Sequence, residues 1–405
     1  MSGFAKPRVI IFSDHLLYPS ETFIHAQASA LSEFQPVYAG SRRVAGLDLR
    51  NEEVHVLNRG NLFGQCRELG FKLTGFAPDF VNRLGSLNPA LLHAHYGPNG
   101  LRGLHLARSL KIPVIVTFHG SDVTVTDLRY QKTTLGFRLY VANKPKLRKS
   151  KALFLVVSNF LRRRVLQQGF SEERVLVHYT GVDTKKFRPA STEESPMILF
   201  VGRLAESKGV DFLIRAAADV QRQSPEVELV LIGEGTLRAD LERLAKESLR
   251  RYRFLGGRTS EEVREWMNRA SVVCVPSITR RSGEEEGFGM VCAEAQAVGK
   301  PVVAFDSGGI SEVVSHAKTG FLAPEGDWQA LAEYLSVLLQ DAKLRARFGL
   351  AGREWMLSHF DLEHRTRILE RIYAKVSGRD SAPGESEKWA DSAANSYPQF
   401  SSQPC

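Results

Sequence analysis

Short apolar runs recur along this chain and alternate with segments of helical period, a pattern that admits few folds. The first series is Val9–Phe12, Pro36–Tyr38, Leu91–His95, Val114–Phe118, Leu153–Val157 and Val175–His178. A strand that is apolar at nearly every position must be covered on both faces. That is the condition of a parallel sheet with helices on either side. The polar stretch Arg188–Pro196 interrupts the pattern and reads as a linker. A second series follows: Met197–Val201, Val227–Ile232, Tyr252–Leu255, Val272–Val275 and Val302–Phe305. Helices are expected over Asp211–Gln221, Leu237–Leu249, Ser260–Arg269 and Trp328–Gln340. The fold class is therefore α/β, with one Rossmann-like domain over 1–187, a linker over 188–196 and a second such domain over 197–360. Residues 361–376 read as a closing helix, and 377–405, rich in Gly, Ser, Pro and charge, as a disordered tail.

A length of 405 residues with 43% hydrophobic content suffices for two full cores. No apolar run approaches the roughly 20 residues that span a bilayer. Met1–Pro7 passes straight into a strand without a signal-peptide apolar region. Cys66, Cys274, Cys292 and Cys405 show neither metal nor redox spacing, and Cys274 and Cys292 lie in core-like runs. Such usage favours a reduced, cytoplasmic compartment. The net charge of +9 includes two basic clusters, Lys144-Lys146-Arg148-Lys149-Lys151 and Arg162-Arg163-Arg164. No aromatic residues interleave with them and no nucleic-acid motif is present, so no nucleic-acid partner is expected. Two readings stay open for these clusters. One is an anionic membrane surface on the inner face of the plasma membrane, at about 1 kcal/mol per basic residue; the other is a solvated helix face.

The chemistry concentrates late in the chain. Glu286 and Glu294 stand eight positions apart across Gly287-Phe288-Gly289. The run Ser271–Pro276 reads as a buried strand and Met290–Val298 as a helix. Glu286 then lies on the loop at a strand's C-terminal end, and Glu294 about two turns into the helix. Gly287 and Gly289 let the backbone approach a ligand, and the first helical amides, at Met290 and Val291, face any anion there. One carboxylate for sugar hydroxyls, bare amides for phosphate and a second carboxylate for ribose would suit a sugar joined to a diphosphate. Alone, the pair fits a solvated acidic loop before an ordinary helix equally well. Pro301–Asp306 followed by Ser307-Gly308-Gly309-Ile310-Ser311-Glu312 reads as another strand turning through glycines into another helix. Two such units facing one crevice are hard to explain by packing. Earlier, Leu199-Phe200-Val201 ends at Gly202, followed by Arg203 and, further on, Lys208. A planar fork of donors and a point charge suit a diphosphate leaving group, whose growing negative charge they stabilise. His119 follows the apolar strand Val114–Phe118, where ligands of open sheets gather, and Asp122 is placed to orient it or to bind acceptor. His93 and His95 share a strand face but are too isolated to suggest a metal, and no Asp-x-Asp motif follows a strand. No divalent ion is expected.

These motifs resemble a retaining glycosyltransferase of the two-Rossmann-domain (GT-B) type, family 4 or group 1, over roughly residues 8–376. The specific part is Gly202-Arg203-Leu204 with Lys208-Gly209, the Glu286–Glu294 pair and Ser307-Gly308-Gly309, in the family's order. Ser20-Glu21-Thr22-Phe23, His93–Gly97 and Phe118–Asp122 resemble the colanic-acid- and amylovoran-like subgroup acting on bacterial exopolysaccharides and lipopolysaccharides. The resemblance implies two domains facing a central cleft, an acceptor-binding one first and a nucleotide-sugar-binding one second, with helix 361–376 crossing back to the first. It further implies that Arg203 and Lys208 hold the diphosphate, that Glu286 holds the donor sugar's hydroxyls and that His119 meets the sugar or the reacting centre. Arg258, beside Gly256-Gly257, is expected near the donor. Many relatives carry Gly-Gly in the first loop, where this chain has Ser20-Glu21. Ser20 is expected as a helix cap and Phe23 in the core, with acceptor contact from Glu21 or Thr22 as the alternative use. The expected reaction moves a hexose from UDP-glucose, UDP-galactose or GDP-mannose to a lipid-linked or polysaccharide acceptor, by same-face substitution and without a cofactor. The rival reading is a nucleotide-sugar epimerase on the same fold.

Overall fold

The computed structural model describes residues 5–379. The tail expected over 377–405, with Cys405, lies outside them apart from Ser377, Gly378 and Arg379. The chain divides into two compact units. The first comprises residues up to Phe118, Thr133–His178 and the chain from Arg367; the second comprises His119–Lys132 and Tyr179–Thr366.

In the first unit an eight-stranded sheet runs β2-β3-β1-β5-β6-β7-β8, with β4 also paired to β3. Its strands are β1 (Arg8–Phe12), β2 (His15–Leu16), β3 (Gln35–Arg43), β4 (Val54–Asn58), β5 (Pro89–His95), β6 (Val114–Phe118), β7 (Leu153–Val156) and β8 (Val175–Val177). The pairs β1–β3, β1–β5, β5–β6 and β6–β7 are all parallel. Every residue of β6 and β7 is buried, as unbroken apolar runs require. The strands β2 and β4 were not expected. The first is two residues long, and the second mixes His55 and Asn58 with half-buried valines.

The closing helix, Leu362–Val376, begins in the second unit and ends in the first. Within the first unit Glu370 caps the turn after the helix Thr22–Ser29: Ser32, Glu33 and Phe34 N–H donate to Oε1 at 2.7, 2.6 and 3.3 Å, and Ser32 Oγ donates to Oε2 at 2.9 Å. Tyr373 lies edge-on to Phe34, and its hydroxyl shares a 2.6 Å hydrogen bond with Nδ1 of buried His93. The other ring nitrogen of His93 meets Thr117 at 2.6 Å.

The second unit holds a six-stranded sheet in the order β11-β10-β9-β12-β13-β14. Its strands are β9 (Ser195–Val201), β10 (Glu228–Ile232), β11 (Tyr252–Gly256), β12 (Ala270–Val275), β13 (Val302–Phe305) and β14 (Gly320–Ala323). All neighbouring pairs are parallel. The sheet starts at β9, grows to β11 on one side, then returns past β9 to β12. The direction of growth reverses between β9 and β12, and the carboxyl ends of those two strands flank the crevice in which such sheets bind ligands.

Several expectations need correcting here. The strand β9 starts at Ser195, so the linker ends before Pro196. Nor is the linker free: Glu194 pairs with Lys300 at 3.0 Å and Arg345 at 2.7 Å. After Ser307 there is no α-helix, only one 3-10 turn at Ile310–Glu312 before β14. The helix Ala342–Trp355 was not anticipated. The basic run also divides, since Lys144 is buried and donates to Gln168, and Arg148 donates to the Gln168 carbonyl at 2.6 Å. Lys146, Lys149 and Lys151 remain exposed. Among the described residues no helix is long and apolar enough to cross a membrane.

Glu370→Ala strips several charge-assisted hydrogen bonds from a turn for which no other protein acceptor occurs among the described residues. It is expected to lower unfolding free energy by about 2–4 kcal/mol in urea titrations. An effect under about 0.5 kcal/mol would mean that water replaces the carboxylate without cost.

Candidate active site

The strand β9 ends at Val201, and Gly202 N–H still bonds across to Ile232 O at 2.9 Å. The chain then leaves the sheet through exposed Arg203. Glu206–Lys208 forms one 3-10 turn, ended by left-handed Gly209, from which the helix Val210–Gln223 starts. This turn brings Lys208 Nζ to 2.5 Å from Glu286 Oε2. Ser277, directly after β12 and Pro276, donates to the same oxygen at 3.3 Å. The two strand ends that flank the crevice are thus joined by a partly buried ion pair.

Burial pushes the Glu286 carboxyl upward, but the Lys208 charge and hydrogen bond, the Ser277 hydroxyl and the Arg203 charge outweigh it. Glu286 is held below the usual carboxylate range. Around this pair Arg280 links Glu206 at 2.6 Å to Glu284 at 3.0 Å, and Arg203 lies 3.5 Å from Glu284.

The loop after β12 is fixed by contacts between main chains. Gly309 N–H donates to Glu286 O at 2.9 Å. A Cβ on Gly287 would lie 2.2 Å from His119 O, one on Gly308 2.1 Å from Glu286 O, and one on Gly309 2.3 Å from Gly287 O. These approaches leave no room for a side chain. Beyond them Phe288 is buried against Tyr179 and Phe360, and Gly289, at φ +94°, opens the helix Met290–Ala297. Met290 and Val291 are half-buried in its first turn, where amides have no intrahelical acceptor.

Glu294 lies in that helix's second turn, about one turn from its start rather than two. It is half-buried, and no hydrogen bond or ion pair to its carboxylate occurs among the described residues. Burial pushes its pKa up to about 7, against a smaller opposing pull from Lys186.

His119 is half-buried, and its segment belongs to the second unit. The Asp122 carboxylate accepts the His119 and Gly120 N–H groups at 3.2 and 3.0 Å. Asp122 is therefore a shaper of the His119 loop. Two further bonds tie this segment to the 280s: Thr126 N–H to Ser282 O at 3.0 Å and Glu285 N–H to Thr124 Oγ1 at 3.3 Å.

The structure brings together Gly202, Arg203, Lys208, Glu286 and the glycine loop, with the His119 backbone against Gly287. It does not bring Arg258 into contact with them. That side chain is exposed and turned to Gly257 O at 3.2 Å and Glu262 at 3.7 Å. In the first unit Thr22 is exposed, while Glu21 is buried and accepts Tyr18 N–H at 2.8 Å. Burial raises the Glu21 pKa against the Tyr18 and Tyr96 hydrogen bonds. Ser20 is not the helix cap. Glu21 holds that position, and no side chain caps the helix Thr22–Ser29.

Sequence reasoning missed Ser277, Arg280 and Glu284, although Ser277's place just past a strand end was a signal. It also missed a charged cluster at the ends of β1, β3 and β4. There Asp14 lies 3.1 Å from Lys72 and 3.7 Å from Arg102, and Glu68 lies 2.5 Å from Lys72 and 3.6 Å from Arg42. Among the described residues no three His, Cys, Asp or Glu side chains gather as metal ligands would.

Two outcomes follow from this geometry. Gly287→Ala must displace backbone and is expected to cost about 1–3 kcal/mol in urea unfolding; a neutral substitution would show that the loop yields freely. For Glu294 the sign is that of a carboxyl raised from 4.5 to about 7 in the folded state. The unfolded chain loses its proton first, so the side chain destabilises the fold progressively as pH rises through that window, and fully above it. Glu294→Gln should therefore stabilise the ligand-free protein by about 1–3 kcal/mol at pH 8, with the gain vanishing below the ordinary glutamate pKa. A gain independent of pH would remove ionisation as its cause.

The family model described as glycosyl transferases group 1 matches residues 182–355, and that described as glycosyltransferase family 4 matches residues 20–186. The chain is 30% identical to the amylovoran biosynthesis glycosyltransferase AmsK of Erwinia amylovora, over 71% of this chain and 70% of that one. It is 32% identical to a GDP-mannose-dependent monoacylated alpha-(1-6)-phosphatidylinositol monomannoside mannosyltransferase of Corynebacterium glutamicum, over 64% of this chain and 68% of that one. In fold it is similar to the Anabaena protein HepE in complex with UDP and glucose, with TM-score 0.73, 20% identity and coverage of 91% and 100%. The paired Rossmann-like sheets and the order of the motifs agree with these likenesses, and the chain belongs to the group 1, family 4 glycosyltransferases of the GT-B fold.

Proposed function

We propose that this protein is a retaining, metal-independent hexosyltransferase that draws on a nucleoside diphosphate sugar. Its acceptor is a lipid-linked oligosaccharide or a growing surface polysaccharide of a bacterium. The observation that carries this reading is the Lys208–Glu286 pair at the point where strand order reverses, with Arg203 at the end of the neighbouring strand. The names of the relatives support it, one from amylovoran biosynthesis and one dependent on GDP-mannose with a phosphatidylinositol mannoside.

In this reading Glu286, kept ionised by Lys208, accepts hydrogen bonds from the donor sugar's hydroxyls. Arg203 and Lys208 meet the charge that grows on the departing diphosphate, so the protein's own cations supply what a divalent ion supplies elsewhere. The amides of Gly287, Phe288, Gly289, Met290 and Val291 face the phosphates, and Glu294 takes the ribose hydroxyls. His119, shaped by Asp122, stands at the reacting centre. A role for Arg258 towards the donor's base, and for Glu21 or Thr22 towards the acceptor, rests on the family resemblance alone.

The transfer is a same-face substitution. The bond from the anomeric carbon to the β-phosphate oxygen breaks, and the acceptor oxygen bonds to the same face of that carbon. The acceptor's hydroxyl proton passes to the departing phosphate oxygen, and the nucleoside diphosphate leaves. An epimerase on this fold would need no acceptor, and the family assignment favours transfer.

Melting curves with UDP-, GDP- and ADP-sugars, recorded in EDTA, test the donor site. A ligand at 100 times its Kd adds about 2.7 kcal/mol of stability, and one base is expected to stand out. Lys208→Ala and Glu294→Ala should each lower kcat/KM by about tenfold or more while leaving the circular dichroism unchanged. Full turnover in either, inverted product configuration, or loss of activity in EDTA alone would overturn the corresponding part of the reading.

A further inference from the structure

The helix Leu62–Thr74 in the first unit carries large apolar side chains on its outer face. Gly64, Glu68 and Phe71 face inward. Outward, Leu62, Phe63, Leu69, Leu73 and, just past the helix, Phe76 are exposed by 79, 70, 52, 56 and 73%. Leu62, Cys66, Leu69 and Leu73 follow one another at steps of four, three and four, which makes a single stripe. The helix is firmly closed, by the Asn61 side chain accepting Gly64 N–H and by left-handed Gly75, so the stripe is not a frayed end. The other exposed large apolar side chains, such as Tyr18, Leu128 and Val337, stand singly on separate segments. Single ones need no explanation, whereas a contiguous stripe marks an interaction surface.

Cations frame the stripe. Arg59 precedes the helix, Arg67 lies on it, and Arg83 lies on the next helix, Pro78–Gly85. Arg83 is half-buried and donates to Val56 O at 3.1 Å, and the charges of Arg59 and Arg67 bear on its guanidinium. Asp79 opposes them from the same side and pairs with Arg67 at 3.0 Å. At the other end the His105 ring packs against Gly75, where a Cβ would lie 2.4 Å from it, and the charges of Arg108 and Lys146 bear on that ring. Of the exposed basic run, Lys146 thus bears on the far end of the apolar stripe.

We propose that this face docks on an anionic phospholipid surface, with Phe63, Leu69, Leu73 and Phe76 entering the boundary between headgroups and acyl chains and Arg59, Arg67 and Arg83 lying against lipid phosphates. An apolar stripe rimmed by arginines is the composition of a helix lying in that plane. A second copy of the chain fits poorly, because twofold pairing of one face sets guanidinium against guanidinium. The docking surface is independent of the transfer reaction, and its test reads binding without turnover.

The test is cosedimentation of the full chain with vesicles of phosphatidylcholine alone and with a third of the lipid replaced by phosphatidylglycerol. Each cation near an anionic surface is worth about fivefold in partitioning, so the anionic vesicles are expected to bind at least about tenfold more strongly. The double substitution Phe63→Ser, Phe76→Ser should weaken binding by about tenfold or more, and Arg59→Gln by about fivefold. Lys149→Gln with Lys151→Gln, away from the stripe, should change it less than about twofold. All these positions are exposed, so unchanged melting curves certify the fold. Equal partitioning into both vesicles, or none, overturns the proposal. So does anionic binding that survives loss of both phenylalanines, which would assign it to the basic run. A dimer that dissociates in the phenylalanine variant while vesicle binding persists would reassign the stripe to contact between copies.

Discussion

Main chain packed against main chain, with no room for a Cβ, holds the second unit's functional loops in place. Gly287 lies under the His119 carbonyl, and Gly308 and Gly309 lie under the carbonyls of Glu286 and Gly287. Side chains hop between rotamers, but backbones in van der Waals contact with a shared hydrogen bond do not. The loop after β12 is therefore positioned by its neighbours and not by its own stiffness, which glycine lacks. Glu286 inherits that placement, and Lys208 reaches it from the turn after β9. A pair about 2.5 Å apart needs both ends fixed to a few tenths of an ångström. The glycine contacts supply one end, and the 3-10 turn closed by Gly209 supplies the other.

The same geometry sends two glutamates to opposite electrostatic fates. Both are withdrawn from water, which favours the neutral form. Glu286 has Lys208, Ser277 and Arg203 to overcome that penalty, while Glu294 has only the distant charge of Lys186. The contrast separates their capacities: one stays a permanent acceptor, and the other titrates near pH 7 with no hydrogen bond to its carboxylate among the described residues. Hydroxyls donated to Glu294 would favour its ionised form and draw its pKa down. Occupancy of that position is consequently linked to release of a proton around neutral pH.

What was legible in the sequence follows from burial. The central strands β1, β6, β9, β12 and β13 are covered on both faces, so their apolar runs announce them, and the loops at their ends carry the motif residues. The strands β2, β4 and β14 sit at or near sheet edges, where short length and half-exposure erase the signal. The segment after Ser307 looked helical, yet two glycines consumed by backbone contact leave only one 3-10 turn before β14. Ser20 has the chemistry of a cap, but the helix begins after Glu21, whose carboxylate turns to Tyr18. Long-range pairs such as Glu194 with Arg345, or Glu370 with the turn at Ser32, have no local signature at all.

Charge accounting ties these observations together. A net charge of +9 read as a total suggests a diffusely basic surface. In the second unit, however, many cations are committed within the structure: Arg238 to Glu234 and Glu242, Arg253 to Glu228, Arg280 to Glu206 and Glu284, Arg345 and Lys300 to Glu194. In the first unit Arg59, Arg108, Lys146, Lys149 and Lys151 form no ion pair among the described residues, and Lys144 is turned inward. Part of the uncommitted positive field belongs to the first unit, where Arg59 flanks a stripe of exposed phenylalanine and leucine and Arg108 and Lys146 bear on His105 at its far end. The paired cations named in the second unit act over hydrogen-bond distances on one or two carboxylates, whereas the unpaired ones beside the stripe act together over a Debye length on an extended surface. One formal charge thus divides into two physical tasks, local neutralisation at a site and collective attraction at a face.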